Sequence, residues 1–143
     1  TRQGFGWSDL TRIGVGVGPG NFSGIRISVS AARGLALSLG IPAIGVSTFE
    51  ATKRTAPAGS VPAVPAPQNQ IYIAPEGAAP SLVPNSGDAH VALPPKPDVL
   101  STNIALIAVD AVAPFARPAP LYIRAADAAP PRDAPPVILD DDS

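Results

Sequence analysis

The chain has 143 residues, one domain by size, and a compact chain of this length buries roughly 68–70% of the surface its unfolded form exposes. Its apolar fraction is 45% with only 5% aromatic residues, so Val, Ile, Leu and Ala must build the core. A net charge of −1 lacks the basic excess of a surface that holds nucleic acid directly, and the absence of cysteine excludes disulfides, zinc–thiolate sites and cysteine nucleophiles.

No apolar run reaches the roughly 18 residues that span a bilayer. The opening Thr1–Trp7 lacks the continuous apolar stretch of a signal peptide, so the expected location is the cytoplasm. The sequence begins at Thr1 without Met, as a processed chain or a fragment would.

Arg12–Val17 (RIGVGV) predicts a short buried strand, broken by Gly18-Pro19-Gly20. Asn21 is a good helix N-cap, because its side-chain oxygen accepts from a first-turn amide. A helix is predicted over Phe22–Leu39, with Gly40 just past its end and Pro42 where a helix could not continue. Pro42–Val46 predicts a second strand. Ser47 and Glu50 have the spacing of a capping box, opening a short helix from about Thr48 to Thr55. Strand–helix–strand–helix order predicts a parallel or mixed α/β unit with a right-handed crossover.

The second half is read differently, because most of the 19 prolines follow Ala56 and interior prolines break helices. Ala56–Pro67 is expected to be loop and extended chain, Gln70–Ala74 a strand, and Ala78–Pro97 to hold little regular structure. Ile104–Val109 (IALIAV) predicts a buried strand, Asp110–Ala116 a helical turn, and Leu121–Ile123 a last strand. The expected units are 1–55, then an irregular 56–127, then a mobile acidic-ended tail over 128–143.

Placed at about 100° per residue, the long helix has two apolar faces. Ile25, Val29, Ala32, Leu35, Ala36 and Leu39 form the core face. Ile27, Ser30, Ala31, Gly34 and Ser38, with Leu37 nearby, form a second face of mostly small, uncharged residues. Gly34 inside a helix costs about 1 kcal/mol against Ala, and small residues admit a second helix backbone. Either both faces pack within one domain or a partner's helix docks on the second. No second long helix is predicted here, which favours the partner.

The glycines from Gly14 to Gly24 invite a phosphate-loop reading, since a helix N-terminus attracts anions. The turn has no Lys, and no start among Gly14, Gly16 and Gly18 completes the dinucleotide pattern G-x-G-x-x-G. A tight structural turn is the expectation, with no cofactor. His90 is the single histidine, with Asp88 nearby, and a solvated loop is the plain reading. One His without Cys falls short of a metallopeptidase ligand set. Asp140–Asp142 reads as a solvated acidic tail, and Glu50 as a cap. No catalytic, cofactor or metal residues are expected.

Gly18-Pro19-Gly20-Asn21-Phe22-Ser23-Gly24-Ile25-Arg26, then Ala32-Arg33-Gly34-Leu35-Ala36, then Gly40–Ala51 closely resemble the TsaB (YeaZ) family, whose pattern runs GPGSFTGVR, A-K/R-GLA and GIP-x-x-GVS-x-LEA. Pro120–Ala128 looks like the family's closing P-x-YLR-x-ADA segment, and Gln70–Tyr72 like its mid-chain strand. The resemblance implies the actin/Hsp70-like ATPase (RNase H-like) α/β fold without catalytic or nucleotide-binding machinery. It implies a scaffold subunit that pairs with the catalytic subunit TsaD and the ATPase TsaE to install threonylcarbamoyl on tRNA adenosine, touching tRNA only indirectly. The helix over Phe22–Leu39 would then join a helix bundle with TsaD or with a second copy, through Ile27, Ser30, Ala31, Gly34, Leu37 and Ser38. The alternative is a peptidase or nucleotide-dependent enzyme of the glycoprotease (M22)-like superfamily. The family's first strand with its Asp-Thr-Ser type motif, its hairpin and its first long helix would all precede Trp7. They are absent from this sequence, and Val17 and Pro65 replace the family's usual Arg and Asp.

Overall fold

Two short apolar runs, β1 (Ile13–Gly16) and β2 (Ala43–Val46), lie side by side in parallel in a computed structural model that describes residues 4–123. Ile13 pairs with Ala43 and Gly16 with Val46, and bonds from Ile13 N to Pro42 O and from Val17 N to Val46 O extend the ladder at both ends. The connection is α1 (Phe22–Leu39), bounded as its caps predict. Asn21 accepts from the Gly24 amide, and Gly40 ends the helix in a left-handed conformation at φ 66°.

Side chains alternate across β1 and split its faces between two helices. Val15 points to α1, where it is buried with Val29 and Ala32 and flanked by Ile13, Val17 and Ile25. The predicted core face of α1 is therefore the one that meets the sheet. Gly14 and Gly16 point the other way, toward α3 (Pro97–Asp110). A Cβ on Gly14 would stand 2.9 Å from Ala108 Cβ and 3.2 Å from the Ile104 carbonyl oxygen. Only glycine lets this helix come so close. Ile44 and Val46 of β2 complete that second layer with Ala51 and Ala108.

The capping box of α2 (Thr48–Thr55) is present in full: Glu50 N donates to Ser47 Oγ at 3.0 Å, and Ser47 N to Glu50 Oε2 at 2.8 Å. Buried Asn103 ties α3 to α2, donating from Nδ2 to Ala51 O at 2.8 Å and to Thr55 Oγ1 at 3.1 Å.

The second half differs from expectation in five places. Ile104–Val109 is the last part of helix α3 and not a strand, and α3 is also the second long helix that was not predicted. Its start carries local helix signals: Pro97 in the first turn, Asp98 beside it, and Ser101 and Thr102 hydroxyls donating back to the Pro97 and Asp98 carbonyls. Its end does not, since Arg12 Nη1 caps it by donating to the carbonyls of Ala108, Val109 and Ala111. Asp110–Ala116, expected as a helical turn, leaves the helix at Asp110 and forms no further one.

The Pro-rich stretch expected to be loop and extended chain contains a regular strand, β3 (Val61–Ala66). It pairs antiparallel with β4 (Gln70–Ile73) through a turn where Gln68 and Asn69 both take positive φ. β5 (Ser81–Pro84) and β6 (Val91–Ala92) lie in a stretch expected to be irregular, and the sheet order is β5-β4-β3-β6. Pro62 O accepts from Ala74 N while Val61 N donates to His90 O, so odd residues of β3 face β6. β6 pairs only with Val61 and Pro62, so the donor missing at Pro65 falls where no strand runs. Leu121–Ile123, expected as a strand, has no regular structure, although Leu121 N donates to Val17 O. The expected tail over 128–143 lies outside the described residues.

Two stability measurements follow from this packing. Gly14→Val should lower unfolding free energy by about 1–3 kcal/mol through overpacking against α3, whereas Gly34→Ala, where a Cβ meets nothing within 4 Å, should be neutral or raise it by up to about 1 kcal/mol. Urea titration of both variants checks the contrast. Asn103→Ala removes the donor that holds the buried Ala51 carbonyl, and should lower the urea midpoint by an amount equivalent to about 1–3 kcal/mol.

Candidate functional site

The Gly18–Asn21 turn and the first residues of α1 are held from three sides. Thr48 N donates to Gly18 O and Thr48 Oγ1 to Pro19 O, each at 2.9 Å. Gly18 sits at φ 93°, and a Cβ there would come within 2.7 Å of Ile25 Cδ1. The Phe22 ring lies 5.5 Å from that of Tyr122, and the Arg26 guanidinium stacks 5.3 Å over Phe22. Gly20, Asn21, Ser23 and Gly24 complete the exposed rim.

A cavity of about 380 Å³ opens beside this turn, lined among others by Pro19, Ile25, Leu100 and Ile104, and no charged residue lines it. A phosphate there would find amides but no cation. The glycines have packing roles instead: Gly14 and Gly16 admit α3, and Gly18 admits Ile25.

The second face of α1 is open. Ile27 is 70% exposed and Leu37 85%, and Ser30, Ala31, Gly34 and Ser38 are exposed between them. No described residue comes within 4 Å of a Cβ placed on Gly34. Among the described residues the other long helix, α3, packs on the opposite side of β1. Among the described residues, none packs on this face at Gly34. Arg26 and Arg33 are exposed on the same helix.

A feature without a sequence signal lies at the C-terminal end of α1. The chain returns after α3 so that Phe115 and Arg117 face Arg33, Leu37 and Ile41 across an open cleft of about 470 Å³. Pro118, buried, anchors this return near Gly45. Periodicity within α1 could not locate a wall contributed by residues 115–118.

The enzyme candidates do not assemble. Asp88 Oδ1 accepts from the His90 backbone amide at 2.9 Å, an exposed local turn, and His90 O accepts from Val61 N. Glu50 is engaged in its cap. Among the described residues no three His, Asp or Glu side chains gather as metal ligands. Asp140–Asp142 lies outside them.

The family model described as TsaD, tRNA N6-adenosine threonylcarbamoyltransferase, matches residues 1–91. Over 49 residues, 34% of this chain, the sequence is 45% identical to the tRNA threonylcarbamoyladenosine biosynthesis protein TsaB of Escherichia coli K12, covering 21% of that protein. It is 51% identical over 41 residues to the protein of the same name from Buchnera aphidicola, covering 29% of this chain and 20% of that one. These matches span about a fifth of each curated relative. Among solved structures, an uncharacterized protein with similarity to peptidase YEAZ from Pseudomonas aeruginosa superposes with TM-score 0.65 at 19% identity, over 86% of this chain and 78% of that one. YeaZ from Pseudomonas aeruginosa superposes with TM-score 0.51 at 25% identity, over 62% of this chain and 48% of that one. These likenesses fit an α/β fold of the actin/Hsp70-like ATPase type.

The turn depends on its cap. Asn21→Ala should destabilise the chain by about 1 kcal/mol while Asn21→Asp holds stability near wild type, as read by thermal unfolding followed by circular dichroism.

Proposed function

Because the chain belongs to the TsaD family, and within it to the TsaB/YeaZ group, we propose that it acts in threonylcarbamoyladenosine formation on tRNA as a non-catalytic scaffold that docks a TsaD-type catalytic subunit. The observation that carries this reading is the second face of α1. Ile27 and Leu37 are large apolar side chains left in water, and Gly34 offers a backbone that another helix can approach closely. The face has no charge to repel an apolar partner, and Arg26 and Arg33 belong to its rim.

The proposed interface is Ile27, Ser30, Ala31, Gly34, Leu37 and Ser38. The same face serves a second copy in a homodimer. A TsaE-type ATPase joins the assembly, and tRNA is met only indirectly, consistent with the net charge of −1. No helix among the described residues is long and apolar enough to cross a membrane, and the cytoplasm is the proposed location. The proposed division keeps 1–55 and 56–127 as units, with α3 reaching back from the second to cover the sheet of the first. A peptidase reading finds no support in geometry, since Asp88 is spent on a backbone amide and orients no histidine side chain.

Size-exclusion chromatography with light scattering tests the proposal, using the chain mixed with a TsaD-type subunit. A complex is expected with wild type and lost with Gly34→Arg, while Gly34→Arg alone stays folded because its side chain points into open space. No complex from folded wild-type chain would overturn the docking role.

A further inference from the structure

The open cleft at the C-terminal end of α1 is continuous with the outer face of that helix, because Gly34 and Leu37 belong to both. Its chemistry differs from that of the face it extends. Ile27, Ala31 and Gly34 carry no charge, whereas the cleft adds Arg33 from α1 and Arg117 from the returning chain to an apolar lining of Leu37, Ile41 and Phe115. No Asp or Glu is among its lining residues, in a chain whose net charge is −1.

The two arginines of the cleft also differ from two others in the fold. Arg12 donates to the carbonyls at the end of α3 and stacks 5.3 Å over the Phe115 ring, which ties that wall of the cleft to the helix. Arg26 stacks over Phe22. Among the described residues, Arg33 and Arg117 have neither a hydrogen bond nor an ion pair.

A guanidinium donates in a planar fork that fits a carboxylate in bidentate fashion. Two of them at one opening select for negative charge, and the apolar lining beside them selects for a large apolar side chain. A carboxylate alone would leave Leu37 and Phe115 in water, and an apolar side chain alone would leave both cations without a counter-charge. The ligand that satisfies both carries the two groups next to each other on one chain.

We propose that this cleft is the charged end of the docking surface and receives a segment of the TsaD-type subunit in which a large apolar side chain neighbours an Asp or Glu. The apolar side chain enters between Leu37, Ile41 and Phe115, and the carboxylate pairs with Arg33 and Arg117. This rests on the docking role proposed above and adds what the partner must carry at this end. It also fixes direction. A seam of small uncharged residues such as Ala31 and Gly34 accepts a helix laid either way, whereas a pair of cations at one end favours the orientation that brings the carboxylate there.

The test is isothermal titration calorimetry of a TsaD-type subunit into the full chain. Arg33→Gln with Arg117→Gln should weaken binding about tenfold and flatten the fall in affinity that wild type shows as salt is raised. Arg33→Lys with Arg117→Lys, which keeps the charge without the fork, should recover only part of the loss. Arg26→Gln, at the other end of α1, should stay within about twofold of wild type. Ala116→Glu sets a carboxylate of this chain at the cleft and should weaken binding without touching either arginine. All four variants alter exposed side chains, and circular dichroism should match wild type. A wild-type complex that the Gln pair leaves at full affinity would overturn the cleft while the docking role stands. An equal loss with Arg26→Gln would assign the effect to diffuse charge and also overturn it. No complex with folded wild-type chain would overturn the docking role and this inference together, so the two failures are told apart.

Discussion

A parallel pair of four-residue strands cannot hold its shape unless both faces are covered, and here the covering depends on two missing side chains. Gly14 and Gly16 leave room for α3 to settle against the backbone of β1, and α1 takes the opposite face through Val15, Val29 and Ala32. Helix, sheet and helix then form three layers with small residues where they come closest. The same alternation that gives α3 its seat gives α1 its apolar purchase. Because α1 spends its Val29–Ala36 face on the sheet, the face carrying Gly34 and Leu37 is turned to solvent. The fold thus produces the candidate docking surface as a consequence of how it covers β1.

What could be read from sequence was what short-range chemistry decides. Asn21, Gly40 and the Ser47/Glu50 pair act within one helical turn of themselves, and the structure has them in those roles. Periodicity likewise separated the core face of α1 from its outer face. The apolar run Ile104–Val109 was ambiguous on those terms, since a buried strand and a buried helix present the same composition. Pro97, Asp98 and the Ser101 and Thr102 hydroxyls favour the helix at one end. The other end is closed by Arg12, which no window around residue 104 contains.

β3 was hidden for the opposite reason. Its prolines argue against a regular strand in a local reading, yet the donor missing at Pro65 falls on the side where β6 reaches no further than Pro62. At the candidate site the residues on α1 were legible and their surroundings were not. Whether a face is covered depends on every other element, and the wall formed by Phe115 and Arg117 arrives from a segment with no pattern of its own. The glycine-rich turn shows the converse. Its composition points to phosphate, while its neighbours Ile25, Ile104 and Ala108 explain Gly14, Gly16 and Gly18 by close packing.

Arg12 also sets the order in which this molecule can be made. Its bonds to the end of α3 join residues 96 to 99 positions apart, and they cap the helix that covers β1. During synthesis the β1–α1–β2 unit therefore waits, one sheet face bare, until residue 110 has left the ribosome. Contacts so distant in sequence slow folding, because most of the chain must be closed into a loop before they form. Over that interval Ile44 and Val46 lack the cover that α3 later provides.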